Sequence, residues 1–312
     1  MQPHGKYNFY IMENSNHEER QREETQEITN KAKVLIKGIF TPNEIVLSET
    51  DEQMPDNQIL KQQIEKKWDD RLFAGPLVRL GSFALVKETL NLKVGKTDFK
   101  KYVGSRDMFS LRECGMQSLS NPISVSTVLI TSDNKIVVAD KILGDKTGSI
   151  DTPGGYMNPD KDRDPETGRL DIFRAALREL AEEVFLGKDQ ITDDEYSEVE
   201  GLIVEKVCVG LSYEYAGLCH PVLSFAMRTR LSSQELQQKI DNINESPENE
   251  IKATIINPEK VPDNPDADNI CKLLLKRYPN VEPDGRITIA LARKWLVGKN
   301  YPKSQLKEID EV

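Results

Sequence analysis

FRAALRELAEEVFL, Phe173–Leu186, sets three glutamates and two arginines into a run that otherwise reads as a buried helix. At ~100° per residue, Phe173, Leu177, Leu180 and Val184 share one narrow face, the spacing of a helix docked on a core. Glu179, Glu182 and Glu183 stand at i, i+3 and i+4, which makes their side chains neighbours on the opposite side. Like charges at that spacing destabilise a bare helix by roughly 0.2–0.5 kcal/mol per pair. Cations, water or a metal must offset them. One reading is a solvated acidic face with Arg174 and Arg178 as partial partners. The other is a hard-cation site, because clustered carboxylates on a rigid element suit Mg2+ or Mn2+, which take oxygen ligands and keep several waters.

Composition narrows the setting. The 312 residues allow a sizeable core and two domains, and a hydrophobic content of 38% with 30% charged residues reads as soluble and globular. Lys and Arg number 42 against 52 Asp and Glu, a net charge of −10, which argues against a general surface for nucleic acid polymers. A small anionic substrate would therefore need local positive charge or metal ions. The N-terminal MQPHGKYNFYIMENSN lacks the apolar core of a signal peptide, and no window approaches a membrane span. Cys114, Cys208, Cys219 and Cys271 form no CxxC pair, which fits reduced thiols in a cytoplasmic protein. Of the three histidines, His4 and His17 lie in the polar N-terminal stretch and His220 stands beside Cys219 alone, so no zinc pattern emerges. A Ser–His–Asp hydrolase has no GxSxG to build on.

Along the chain, residues 1–31 read as a polar extension. Residues 32–118 read as a small α+β unit. In it, AKVLIKGIF and NEIVLSE are strands around a Thr-Pro-Asn turn, and Ile59, Leu60, Ile64 and Trp68 take helical spacing before the strand-like GPLVRLGSFALV and TLNLKV. Gly95-Lys96-Thr97 imitates the end of a phosphate-binding P-loop, but Leu90 stands where that loop needs its first glycine. In the second unit, residues 119–300, ISVSTVLITSDNKIVVADKIL reads as two strands joined at Ser132-Asp133-Asn134. The Gly154-Gly155 turn, the polar insert DKDRDPETGR and the glutamate helix follow. GLIVEKVCVGLSYEY and HPVLSFAMRTRL then read as strands, and ITIALARKWLVG as a helix. Residues 301–312 read as a polar tail. The expected fold is α/β in the broad sense (α+β), a mixed sheet sandwiched between helices.

Arg178-Glu179-Leu180-Ala181-Glu182-Glu183, with Gly155 upstream behind Pro153-Gly154 and Leu186 downstream, resembles the Nudix box, G-x5-E-x7-R-E-U-x-E-E-x-G-U, with U a bulky aliphatic. The chain departs from it in three places. Gly155 and Arg178 are separated by 22 residues where the pattern has 13. The early glutamate falls one place off, at Asp171, with Glu166 as an outside candidate. Phe185 replaces the late glycine, and Gly187 is positioned to end the helix two residues later. In the N-terminal half, KKWDDRLFAGPLVRLGSFAL followed by LNLKVGKTDFKKYVGSRD looks like the N-terminal domain of the UDP-glucose/UDP-galactose diphosphatase branch. Members of that branch also carry long inserts in the box and depart from its late glycine.

The resemblance implies a Nudix fold and Mg2+-dependent hydrolysis of a UDP-sugar to UMP and a sugar 1-phosphate, with Mn2+ as a substitute metal. It leaves open ADP-ribose or another nucleoside diphosphate sugar as substrate, and a Nudix-fold nucleotide-binding module without turnover. It implies that Glu182 and Glu183 bind metal, that Glu179 binds metal or activates the attacking water, and that Arg178 orients Glu179 or its neighbours by hydrogen bonding rather than touching substrate. The backbone at Gly155 would approach the phosphates or the metal. Lys141 is a candidate phosphate contact, Tyr156, Tyr213 and Tyr215 are candidates for base stacking, and Glu248 or Glu250 for the general base. The implied partner is a small nucleoside diphosphate sugar, with no nucleic acid polymer and no membrane.

Overall fold

Runs rich in Val, Ile and Leu become strands here wherever turn formers interrupt them. The structure is a computed structural model that describes residues 32–69, 74–106, 108–141, 150–214, 219–244, 251–256, 282–296 and 303–305. Strand β1 (Ala32–Phe40) passes through a 3-10 turn at Pro42–Glu44 into β2 (Ile45–Gln53). Helix α1 (Gln58–Lys67) is capped by Asn57, whose side chain accepts from the N–H of Ile59 and Leu60, and it ends before Trp68. β3 (Pro76–Val86) and β4 (Thr89–Asp98) form a tight hairpin through Lys87 and Glu88, both at positive φ. Two short helices follow, α2 (Phe99–Ser105) and α3 (Met108–Cys114). Gly95-Lys96-Thr97 lies inside β4, as expected of a strand rather than a phosphate loop.

The remaining elements are β5 (Ser124–Ile130), β6 (Ile136–Lys141), β7 (Ile150–Asp151), β8 (Gly154–Tyr156), helix α4 (Ile172–Leu180), α5 (Asp193–Leu202), β9 (Ile203–Glu214), β10 (His220–Thr229), α6 (Ser233–Asn244), β11 (Ile251–Ile256), α7 (Pro283–Leu296) and β12 (Ser304–Gln305). α5 was not legible from apolar periodicity. Its signal is instead the capping box of Thr192 and Glu195, where each side chain bonds the other's backbone N–H.

Among the described residues nine strands make one sheet, in the order β11-β6-β5-β10-β9-β1-β12, with β7 on β6 and β8 on β5. β10 runs parallel to β5 and the other pairs are antiparallel, so the sheet is mixed. α4 covers one face, with Phe173 edge-on to Phe225 at 5.2 Å between ring centroids. α7 covers the other, with Ile287, Leu291 and Ala292 against Val128, Ile130, Val207 and Ala226. Period-2 alternation on β5, β9 and β10 explains this, because it sends alternate side chains to opposite helices. The sheet between helices is the expected architecture. β2, β4 and β3 form a separate three-stranded sheet, with β2 parallel to β4. β1 lies in the large sheet, paired with β9 and with β12. One apolar core joins the two sheets, since Leu80, Leu90 and Leu92 pack in the same cluster as Phe173, Leu177 and Phe225.

Candidate functional site

α4 begins at Asp171, whose side chain accepts from Phe173 N–H at 2.8 Å. Its apolar stripe is fully buried, as the periodicity demands: Leu177, Leu180 and Val184 are 0% exposed. After Leu180 the backbone widens into a π turn, Ala181–Leu186, which ends at Gly187 in the left-handed region at φ 64°. Gly187 therefore takes the terminating role expected of it in place of the late glycine that Phe185 replaces. Phe185 is buried in the core.

The carboxylates are arranged around Arg178. Its Nη1 lies 2.8 Å from Glu179 Oε1 and 2.9 Å from Glu182 Oε2. Its Nε and Nη2 grip Asp162 at 2.6 and 3.0 Å, and Nη2 also donates to the Tyr156 carbonyl at 3.1 Å. Arg178 thus ties α4 to β8 and to the polar insert at once. Burial alone would lower its pKa, but the Asp162 hydrogen bonds and the charges of Glu179, Asp162 and Glu182 raise it, so it stays cationic.

Gly154 and Gly155 explain themselves at this contact. Gly154 N–H donates to Glu183 Oε2 at 2.9 Å. A Cβ on Gly155 would stand 2.5 Å from the Glu179 carboxylate carbon, so only glycine lets that carboxylate lie against β8. Burial, opposed by Arg178 and reinforced by Glu182 and Asp162, raises the Glu179 pKa to about 7. Burial also raises that of Glu182, against Arg178 and Lys161.

The early acidic position needs correction. Asp171 is spent on capping α4, and Glu166 is exposed in the insert. Asp162 holds Arg178 instead; it is 0% exposed and also accepts from Asn158 N–H at 2.7 Å. It sits in a segment that reads as solvated. Counting forward from Gly155 would have found it, because the box pattern puts its acid six residues on and Asp162 is seven on. The extra residues come after it, before the helix.

Other candidates are distributed unevenly. Tyr156 is near the cluster through its backbone, but its hydroxyl donates to Tyr102 at 2.6 Å, and its ring packs 5.1 Å from Tyr102 and 5.5 Å from His220. Tyr213 is 2% exposed, and its one hydroxyl proton is shared between two acceptors, Asn121 Oδ1 at 2.9 Å and the Cys219 carbonyl at 3.0 Å, which marks a core position rather than a stacking surface. Lys141 closes β6 and its side chain lies outside the described residues, as do Tyr215, Glu248 and Glu250.

The donor set fits a hard divalent cation in its chemistry. It is all carboxylate, and Glu182 Oε1 is buried without a hydrogen bond, 3.6 Å from Lys161 Nζ. Arg178 lies between Glu179 and Glu182, and the three glutamates do not gather their oxygens within 4.8 Å of one another as a set. A cleft of about 390 Å³ opens beside Glu182, lined among others by Lys161, Arg163, Arg174, Arg178 and Tyr196. Arg174 stacks on the Tyr196 ring at 4.2 Å and pairs with Asp193 at 2.6 Å. The cleft thus mixes Lys161, Arg163, Arg174 and Arg178 with Asp160, Glu182 and Asp193, and Arg163 is gripped by Glu49 at 3.0 Å through both terminal guanidinium nitrogens. No helix among the described residues is long and apolar enough to cross a membrane.

No family model and no curated protein matches the sequence. Several solved structures share part of the chain's shape. NrtR from Shewanella oneidensis aligns at a TM-score of 0.34 and 17% identity, over 56% of this chain and 64% of NrtR. The chain thus spans less than two thirds of NrtR's length. Tm1382, a candidate Nudix hydrolase, aligns at 0.36 and 11% over 75% of this chain and 95% of its own. An ADP compounds hydrolase aligns at 0.31 and 14%, over 73% and 97%. At these scores the likenesses are partial matches of shape, and no activity or partner follows from them.

Proposed function

We propose that this chain is a Mg2+-dependent hydrolase of the pyrophosphate bond in a nucleoside diphosphate sugar, UDP-glucose or UDP-galactose, releasing UMP and a sugar 1-phosphate. The observation that carries the reading is the Arg178 hub, which fastens Glu179 and Glu182 beside the Gly154-Gly155 turn where Glu183 is already bound. Such a pyrophosphate resists attack because its oxygens repel an incoming nucleophile. Glu179, Glu182 and Glu183 would hold the metal, which neutralises phosphate charge and lowers the pKa of a bound water. The chain's own part is positional. Arg178 aims two carboxylates, Asp162 keeps Arg178 in place, and Lys161, 3.6 Å from Glu182, is the cation of the adjoining cleft that would meet an anionic substrate.

The choice of a UDP-sugar rests on the resemblance of the N-terminal run to one branch, and a cytoplasmic setting on four scattered cysteines that form no CxxC pair. The test is hydrolysis of UDP-glucose, UDP-galactose, ADP-ribose, NADH and diadenosine polyphosphates, with and without Mg2+. Metal-dependent turnover confined to UDP-sugars is expected. Turnover of ADP-ribose instead keeps the site and overturns the branch. Nucleotide binding without any turnover overturns the enzyme.

A further inference from the structure

Away from the glutamate helix, one ligand atom each from Glu214, His220 and Asp284 lies within 4.8 Å of the other two. Glu214 closes β9 and His220 opens β10, opposite each other in the antiparallel ladder, so both side chains leave the sheet on one face. That face is covered by α7, whose first turn brings Asp284. The helix is pinned there by Thr288, whose hydroxyl bonds Ser126 at 2.8 Å and Ser224 at 2.9 Å. Glu214 is 0% and His220 2% exposed. His220 Nδ1 stands 3.4 Å from Glu214 Oε2, and the rings of Tyr102 and Tyr156 flank the imidazole at 6.0 and 5.5 Å.

We infer that Glu214, His220 and Asp284 bind a divalent transition-metal ion, of which Zn2+ is the best match, at a site separate from the glutamate cluster. The donors are two anionic oxygens and one imidazole nitrogen, delivered by three different elements. That mix suits Zn2+, which accepts N and O ligands and functions with three protein ligands and an open fourth position. A buried ion pair is the competing arrangement. A divalent ion would instead engage all three donor atoms at once, two carboxylate oxygens and one imidazole nitrogen. Tyr102 and Tyr156 limit the rotation of the imidazole, as outer groups do around metal-ligating histidines.

The test uses the full chain, stripped with a chelator and titrated with ZnCl2 by calorimetry, with bound metal counted by elemental analysis. Co2+ serves as a spectroscopic probe through its visible absorption. With Mg2+ in excess to occupy the glutamate cluster, the expected result is one Zn2+ equivalent that survives Glu183→Gln and weakens ~10-fold or more in Glu214→Gln and Asp284→Asn. Because Asp284 is only half-buried, Asp284→Asn keeps the test open should Glu214→Gln fail to fold. A folded Asp284→Asn protein, judged by circular dichroism, that binds Zn2+ and Co2+ like the parent overturns the inference. Loss of the equivalent in Glu183→Gln alone does the same. Metal binding is the readout, so failure of the hydrolase reading leaves this result intact.

Discussion

Burial, with the charges of Glu182 and Asp162 nearby, holds the Glu179 carboxyl at about 7 against the pull of Arg178. Its unfolded-chain value is near 4.5, so between the two the folded protein binds more protons than the unfolded chain. This residue's contribution to stability is therefore complete below the unfolded value and is lost as pH rises through about 7. In metal-free protein, scanning calorimetry over that range should show a Tm decline that Glu179→Gln flattens; identical pH profiles for parent and variant would sink the assignment. Glu183 behaves differently because its Oε2 accepts from the Gly154 N–H, a bond that a glutamine oxygen can keep. Glu183→Gln should cut hydrolysis ~100-fold or more while leaving Tm equal or slightly higher, since one like charge goes. A variant with a lowered Tm whose folded protein keeps full specific activity would mean the helix carboxylate is only structural.

At the scale of elements, α4 is held to the sheet by its apolar stripe and to the insert by Asp162. Without Asp162, Arg178 keeps Glu179 and Glu182 on Nη1 but loses the charge-assisted hydrogen bonds that Nε and Nη2 make, which costs roughly 1.5–3 kcal/mol. Asp162→Ala should therefore lower stability by about that much in denaturant melts, and activity should fall with it because Arg178 no longer aims Glu179 and Glu182. An exposed insert acid, Glu166→Ala, provides the control and should change stability by no more than ~0.5 kcal/mol. Equal effects from the two would show that the insert contributes no specific contact. The Gly155 approach works at the same scale, since one strand, β8, sits close enough to a helix carboxylate to exclude even a methyl group.

Across the whole molecule, the two sheets communicate through one core and through the hydroxyl pair of Tyr102 on α2 and Tyr156 on β8. Burial raises the pKa of both phenols, so the pair stays neutral and serves as a hydrogen bond rather than a charge. Tyr102→Phe leaves the Tyr156 hydroxyl short of this partner and should cost ~1–3 kcal/mol of global stability. If chemical denaturation shows no change in midpoint, the hydroxyl pair adds nothing, and the small sheet is docked by the shared core and by backbone bonds such as Val78 N–H to the Met157 carbonyl and Leu80 N–H to the Asn121 carbonyl. β1 strengthens the same link: it precedes the small sheet in the chain yet completes the large one against β9.

The short-range features were legible because their physics is short-range. The periodicity of Phe173, Leu177, Leu180 and Val184 announced both the helix and its buried face, and Gly187 announced its end, since a left-handed terminal residue depends only on neighbouring backbone. The hairpin at Ser132-Asp133-Asn134 was readable for the same reason. Asp162 was not, because its burial depends on how the insert folds back over Arg178, and its polar neighbours signal solvent. Nor was the joining of β1 to β9, whose partners are far apart in the chain. Glu214, His220 and Asp284 are the extreme case. Cross-strand register and the docking of α7 bring them within 4.8 Å, and no local pattern encodes a distance set by two independent long-range contacts.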